Sequence, residues 1–440
     1  MAEEHDPKMS YRGRPIADAP ETPPTATTFR GRPIADPTPV DAAHATPPSA
    51  DSYRGRPIAT SDAPATDDGD HAPAASSYRG RPIASDGHSA RGFRGAIQAL
   101  GIVSSRRPNG PAQEAVQLAN ALGQQGVNLE LLAFTGETAH HTDLPMETLS
   151  PGRGFGSKLG KRAKDAEVIL TFDTGALRAC AKLKRGNSAL VVRNDGDHTA
   201  WVGDDRERTR TLAALRAADR VVVPWLAAGK RLVELGDVSA EQIDVIPTGV
   251  DTSAFAPANN LDRVMVRRKL GVEDQHVVLV VAELTADSRI DAAIEAVTGA
   301  DDLLLVVIGD GPEREALTQK ATVAPVRFVG ASSEALPWYQ VAEVAVVPGR
   351  SEGIPRAAIE AGLCGLPVVA TDVGGARDVV VHEETGLLLA RNSIGELGDA
   401  IRQAMTHRGD WGQAASARCR DLFDLTDISA AWAATLKSVF

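Results

Sequence analysis

Val344-Ala-Val-Val-Pro348-Gly-Arg-Ser351-Glu352-Gly353-Ile354-Pro355-Arg356-Ala-Ala-Ile359-Glu360-Ala361-Gly362-Leu363 leads through Cys364-Gly365-Leu-Pro367 into Val368-Val-Ala-Thr371-Asp372. The stretch reads as strand, loop, helix, strand. Val344 to Val347 and Val368 to Ala370 are short, uninterrupted apolar runs, the pattern of strands covered on both faces. Arg356 to Leu363 carries its apolar residues at helical spacing. A strand that returns to a strand through a helix is the repeating unit of a parallel α/β sheet.

The same alternation extends to either side. Further strands are expected at Val277 to Val281, Leu303 to Ile308 and Val326 to Val329. Helices are expected at Leu261 to Leu270, Ile290 to Thr298, Glu313 to Thr322 and Ala335 to Val341. Upstream, Val245-Ile-Pro247-Thr-Gly249-Val-Asp251 ends a strand in a turn, and a polar, proline-containing stretch runs to Asn260, so a domain boundary is placed near residue 248. Before it lies another alternating series. Its strands are Ile97 to Val103, Leu129 to Phe134, Val168 to Phe172, Ala189 to Arg193 and Arg220 to Val223. Its helices are Ala112 to Gln125, Gly175 to Leu183, Asp205 to Ala218 and Leu226 to Leu235. The expected class is α/β: two Rossmann-like doubly wound domains, 93–247 and 248–410, facing a cleft at the carboxyl ends of their strands. Residues 411–440 read as helices that can cross back to the first domain.

Residues 1–92 differ in texture. They are rich in Pro, Ala, Asp, Thr and Ser without helical or strand periodicity, and such a segment buries too little apolar area to offset its ordering entropy. A disordered tail is therefore expected. Within it one heptapeptide occurs four times: Tyr11-Arg12-Gly13-Arg14-Pro15-Ile16-Ala17, then Phe29 to Ala35, Tyr53 to Ala59 and Tyr78 to Ala84, with Phe93-Arg94-Gly95 as a partial fifth copy. The copies start 18, 24 and 25 residues apart, so they do not form a solenoid of fixed period. An aromatic ring, two arginines and a Pro-Ile pair on flexible spacers suit multivalent docking to a protein groove or an anionic surface. Diverged spacers between near-identical heptads favour this over neutral repeat expansion. The heptads are also candidate acceptors for the attached domain.

The chain carries 47 basic and 58 acidic side chains, a formal charge of −11, which disfavours nucleic acid as a partner. Cys180, Cys364 and Cys419 lie far apart and fit neither a zinc site nor a redox pair. No apolar run approaches the roughly 18 residues of a membrane span, and the N-terminus lacks a basic-then-apolar signal. A cytoplasmic protein is expected, with peripheral contact at the inner membrane face left open.

Glu352 and Glu360 stand eight positions apart, the first in the loop after a strand and the second about one turn into the next helix. That spacing can point both carboxylates toward one ligand at a helix N-terminus. A carboxylate accepts from two vicinal hydroxyls, as on a ribose or hexose, while helix-start amides face phosphate. The loop ending in Asn109-Gly110 offers a second helix N-terminus in the first domain, although a plain turn explains it about as well.

These residues resemble the GT-B retaining glycosyltransferases of family 4, once pooled as group 1, over residues 96 to 440. The family pattern of a serine, Glu-Gly, Glu-Ala and Gly-x-Pro-Val-Val is matched by Ser351, Glu352-Gly353, Glu360-Ala361 and Gly365-Leu-Pro367-Val-Val. Val245 to Phe255, Gly309-Asp310-Gly311-Pro312 and Arg327-Phe328-Val329-Gly330 resemble its other landmarks. The resemblance implies transfer of a sugar from a nucleotide-diphosphate donor with retention, without a metal or a resident cofactor. Glu360 would hold the nucleotide ribose, Glu352 the donor sugar, and amides near Gly353 and Ile354 the sugar and diphosphate. Gly110 stands in the family's Gly-Gly loop, and Asn194 where an acceptor-side histidine is common, with His198 nearby. Where the family carries a diphosphate-binding arginine and lysine, this chain has Glu283 and Ser288. Arg289, Arg350 and Arg356 are the cations left to meet that charge. The second reading is a catalytically silent relative, acting as a sugar or nucleotide sensor or as a scaffold tethered by its repeats.

Overall fold

The computed structural model describes residues 95–106, 110–134, 144–183, 186–194, 205–236, 238–331, 334–350, 353–390 and 394–440. The heptapeptide copies, Asn109, His198, Ser351 and Glu352 lie outside the described residues.

In the first half the chain runs through β1 (Ile97–Val103), α1 (Gly110–Leu122), β2 (Val127–Phe134), β3 (Glu147–Leu149), α2 (Phe155–Arg162), β4 (Val168–Thr171), α3 (Thr174–Cys180), β5 (Ala189–Arg193), α4 (Asp205–Arg216), β6 (Arg220–Val223), α5 (Leu226–Glu234) and β7 (Ile243–Val245). The strands form one parallel sheet in the order β3-β2-β1-β4-β5-β6-β7. In the second half come α6 (Asn260–Leu270), β8 (His276–Val281), α7 (Ile290–Val297), β9 (Leu303–Ile308), α8 (Arg314–Lys320), β10 (Val326–Gly330), α9 (Leu336–Val341), β11 (Val344–Val347), α10 (Arg356–Leu363), β12 (Val368–Thr371), α11 (Ala376–Val379), β13 (Gly386–Leu389), α12 (Leu397–Thr406), α13 (Arg408–Phe423) and α14 (Leu425–Lys437). Its strands form a second parallel sheet, β10-β9-β8-β11-β12-β13.

Strand periodicity explains how both faces of each sheet are covered. Ile97, Ala99 and Val103 of β1 point to the side of α1, where they pack with Ala115, Leu118 and Leu122. Leu100 and Ile102, one position out of phase, point to the other side and pack with Leu159 of α2 and Leu177 of α3. In β8, Val278 and Val280 face Ile290, Ile294, Leu397 and Ile401, while Val277 and Leu279 face Tyr339 and Ile359.

Several elements escape sequence reading for identifiable reasons. β3 is a three-residue edge strand with an exposed Glu147, too short for its period to show. α2 holds Gly156 and Gly160 and buries only Leu159, so its composition hides a helix. β13 has four residues and opens on Gly386. The helix expected at Gly175 to Leu183 runs from Thr174 to Cys180, and α13 begins at Arg408 rather than after 410.

The chain returns to its own beginning. α13 packs on α10, and α14 inserts Ile428, Trp432, Ala433 and Leu436 into the cluster of β1 and α1. Between them the junction is stitched to the segment linking the two sheets: Val250 N donates to Phe423 O at 2.9 Å, and Leu425 N to Val250 O at 3.0 Å. Gly249 permits this approach, because a Cβ there would stand 2.9 Å from the Leu425 side chain.

Arg193, at the end of β5, is buried beneath this junction. It pairs with Glu114 of α1 at 2.9 Å. It donates to the Ile246 carbonyl at 2.6 Å and to the Thr248 hydroxyl at 3.0 Å, and it lies 5.9 Å over the Trp432 ring. Removing one partner of a buried pair strands the other charge away from water. Arg193→Met is therefore expected to lower unfolding free energy by about 3–5 kcal/mol, with part of the loss recovered in Arg193→Met/Glu114→Leu. Urea denaturation of both variants measures this, and a cost below about 1 kcal/mol for the single change would show that the pair does not hold the junction.

All three cysteines are buried and unbridged. Burial, and then the charge of Glu360, push the Cys364 thiol up to about 12, and burial pushes Cys419 up to about 12 as well. Few thiolates then exist near pH 8. The native protein should react with a thiol-disulfide reagent only at its unfolding rate, releasing all three thiols in denaturant; prompt native labelling of Cys364 or Cys419 would contradict this.

Candidate donor site at the carboxyl edge of the second sheet

A parallel sheet wound both ways leaves a crevice where adjacent strands send their chains in opposite directions. In the second sheet that point lies between β8 and β11, and the two outgoing loops are tied together by Arg350 N donating to Asp287 O at 2.9 Å. The turn after β9 braces the same edge. Leu284 N donates to Asp310 O at 3.0 Å and Glu313 N to Leu284 O at 2.9 Å. Gly309 takes φ 144° there, and a Cβ on it would collide with the Ala282 carbonyl, so only glycine fits.

α10 starts directly above this point and carries Glu360. Its side chain is 12% exposed and its two oxygens have different partners. Oε1 accepts from Arg356 Nε at 2.8 Å, and Oε2 accepts from the Tyr339 hydroxyl at 3.0 Å. A carboxylate offers roughly four lone-pair directions. The two bonds use one on each oxygen and lock the plane of the group, and one on each oxygen is left. Tyr339 is fully buried and stacks edge-on against Phe255 of the linking segment, ring centres 6.0 Å apart.

The neighbouring predicted positions are placed as follows. Gly353 and Ile354 form the entry to α10; the Gly353 carbonyl accepts from Gly375 N at 3.0 Å, and the Ile354 side chain is buried. Glu283 is exposed at the end of β8. Ser288 is buried, with its hydroxyl 2.9 Å from that of Thr285. Arg289 has φ 51° and turns its guanidinium to Asp291 at 3.2 Å, so its charge is met by its own helix. Arg356 is likewise engaged by Glu360. Gly110 is the exposed first residue of α1, on the first sheet, and so does not share the α10 entry.

The first sheet presents its own switch point between β1 and β4. Ser104 N donates to Asp173 at 2.6 Å, the Ser104 hydroxyl donates to the same carboxylate, and Asp173 also caps α3 through Ala176 N at 2.9 Å. Asn194 is buried at the end of β5. Among the described residues a side-chain bond runs directly from one wall to the other: Arg356 Nη1 donates to Gln117 Oε1 of α1 at 2.7 Å.

Sequence reasoning missed Tyr339 and Gln117. Tyr339 lies inside an expected helix and nothing local marks it as a ligand of Glu360. Gln117 falls between the inward positions Ala115 and Leu118, which identifies it only as off the core face. Two cavities, of about 630 Å³ between α2 and α3 and about 450 Å³ beside β2 and β3, lie away from α10 and include none of these residues. Among the described residues no cluster of three or more His, Cys, Asp or Glu can hold a metal, and no helix is long and apolar enough to cross a membrane.

Burial, and then the charge of Glu360, push the Tyr339 phenol well above its ordinary value. The sign follows: a folded value above the unfolded one adds stability that is complete below the unfolded value, near 10, and fades as pH rises through the folded value. A difference titration at 295 nm between the wild type and Tyr339→Phe should therefore show no ionisation of this phenol until the protein unfolds in alkali. Ionisation near pH 10 in the folded protein would mean that the phenol is not buried against Glu360.

Two family models lie end to end on the chain, Glycosyltransferase Family 4 over residues 108–254 and Glycosyl transferases group 1 over residues 263–418, together more than half of it. The chain is 29% identical over 311 residues to the D-inositol 3-phosphate glycosyltransferase of Geodermatophilus obscurus, covering 65% of this chain and 66% of that protein. It is 28% identical over 193 residues to the sulfoquinovosyl transferase SQD2 of Arabidopsis thaliana, covering 43% of this chain and 38% of that one. The chain thus spans about half the length of the curated relatives it matches. Among solved structures, HepE of Anabaena in complex with UDP-glucose matches with a TM-score of 0.70 at 22% identity, over 78% of this chain and 100% of that one. Sucrose-phosphate synthase of Thermosynechococcus elongatus matches with a TM-score of 0.67 at 21% identity, over 78% and 99%. With one family model on each sheet and the fold shared with these structures, the chain belongs to the family 4, group 1 glycosyltransferases of the GT-B fold.

Proposed function

We propose that this chain transfers a hexose from a nucleoside-diphosphate sugar to an acceptor with retention at the anomeric carbon. The observation that carries the reading is the Glu360 carboxylate: paired with Arg356, oriented by Tyr339, and left with one acceptor direction on each oxygen. Two parallel acceptors match the 2′- and 3′-hydroxyls of a ribose. In this reading Glu352 faces the donor sugar, and amides at Gly353 and Ile354 line the sugar and diphosphate at the start of α10, where the helix dipole favours anionic oxygen. The bond between the anomeric carbon and the diphosphate oxygen breaks with its electron pair going to the diphosphate. The acceptor oxygen bonds the same face of the carbon and passes its proton to the departing diphosphate oxygen. Membership of the family and the UDP-glucose bound by HepE, a structure of the same fold, support a nucleotide sugar as donor.

With Glu283 and Ser288 in place of cations, and Arg289 paired to Asp291, the diphosphate charge must be met chiefly by backbone amides. Turnover slower than that of a site with an arginine–lysine pair is the expected consequence.

The test is calorimetric binding of UDP and UDP-glucose, together with UDP release from UDP-glucose. Glu360→Gln keeps the shape but removes the charge from two hydroxyl acceptors, and UDP should bind about 10- to 100-fold more weakly. Unchanged UDP affinity in that variant would overturn the assignment of Glu360. Binding of UDP-glucose without any release of UDP, in the presence of a panel of acceptors, would instead make the site a sensor.

A further inference from the structure

The two halves of the fold touch at front and back in different ways. At the back, the contact is extensive and apolar: the linking segment is stitched to the α13–α14 junction, and α14 is buried against α1 and β1. At the front, where the carboxyl edges meet, the walls are bridged by Arg356 to Gln117. Arg356 is the first residue of α10, its side chain 20% exposed, and one guanidinium serves both partners: Nε holds Glu360 Oε1 at 2.8 Å and Nη1 holds Gln117 Oε1 at 2.7 Å.

The guanidinium is planar, so its two hydrogen-bonding directions are fixed relative to one another. Seating Nη1 on Gln117 sets the plane that Nε presents to Glu360. With the first wall withdrawn, Arg356 keeps an ordinary i,i+4 pair on a helix surface, which is worth little and leaves its rotamer free. The placement of the Glu360 carboxylate is therefore linked to the approach of α1. Linkage is reciprocal: whatever a ligand gains from an ordered Glu360, it returns as stabilisation of the closed arrangement.

We propose that Arg356 is a positioning residue that couples closure of the two walls to donor binding, with Gln117 as its anchor on the first half. The proposal rests on the reading of Glu360 as the ribose carboxylate. It assigns Gln117, a residue of the acceptor-side wall with no place in the donor pocket, a share in donor affinity. It also gives Arg356 a task other than meeting diphosphate charge.

The experiment measures UDP binding by calorimetry for the wild type, Gln117→Ala, Arg356→Ala, the double variant and Arg356→Lys, each checked for an unaltered melting temperature. Gln117→Ala should weaken UDP binding by about fivefold. The double variant should be no weaker than Arg356→Ala alone, because without the arginine the anchor holds nothing. Arg356→Lys should not restore affinity, since one ammonium cannot span both acceptors in a fixed plane. Should UDP release be detectable, Gln117→Ala raises KM for UDP-glucose with kcat nearly unchanged. Additive losses, or an effect of Gln117→Ala below twofold while Glu360→Gln remains defective, would overturn the coupling and leave the donor site standing. Unchanged binding in Glu360→Gln would remove the donor reading itself, a distinguishable outcome. If Arg356→Ala fails to fold, Gln117→Ala and Arg356→Lys alone decide, because neither removes a buried charge.

Discussion

Taking a guanidinium out of water requires an acceptor for the N–H groups it carries, and Arg193 finds its acceptors in three different parts of the chain. Glu114 comes from the first helix, the Ile246 carbonyl from the end of the first sheet, and Thr248 from the segment that leads to the second sheet. Trp432, from the returning C-terminal helix, covers the face of the group. No one of these segments can satisfy the arginine alone, so the four must assemble together. The point where the chain passes from one sheet to the other is thereby fixed, and with it the direction from which α1 faces α10.

The consequences run to the site. α14 ties the back of the first half, and the Val250 hydrogen bonds tie the linking segment. At the carboxyl edges, the described bridge from Arg356 to Gln117 is polar. A polar contact between partly exposed groups is worth little by itself.

The carboxyl edge of the second sheet is closely built. Gly309, Gly311 and Gly375 hold the loops close together, since any side chain there would collide with Ala282, Leu284 or Ile354. Ser288 is tucked in against Thr285, and Glu283 projects outward. Arg289 and Arg356 are both neutralised by carboxylates of their own helices.

Much of this was legible in the residues. Uninterrupted Val, Ile and Leu runs at Val277, Leu303 and Val344, separated by helical spacing, determine a parallel sheet covered on both sides, because hydrophobic periodicity is local and survives in one dimension. The eight-position spacing of Glu352 and Glu360, and the presence of Glu283 and Ser288 after the first strand of the second series, are likewise read from residue type at short spacing, although Glu352 lies outside the described residues. Short edge elements such as β3 and the glycine-bearing α2 were not, for they carry too few periods to rise above composition. Only the tertiary structure decided that α14 closes the first domain's core, that Tyr339 and Arg356 divide the oxygens of Glu360, and that Gln117 reaches Arg356 across 239 positions of sequence. Contacts of that kind depend on how two sheets come together in space, and no pattern of neighbouring residues records it.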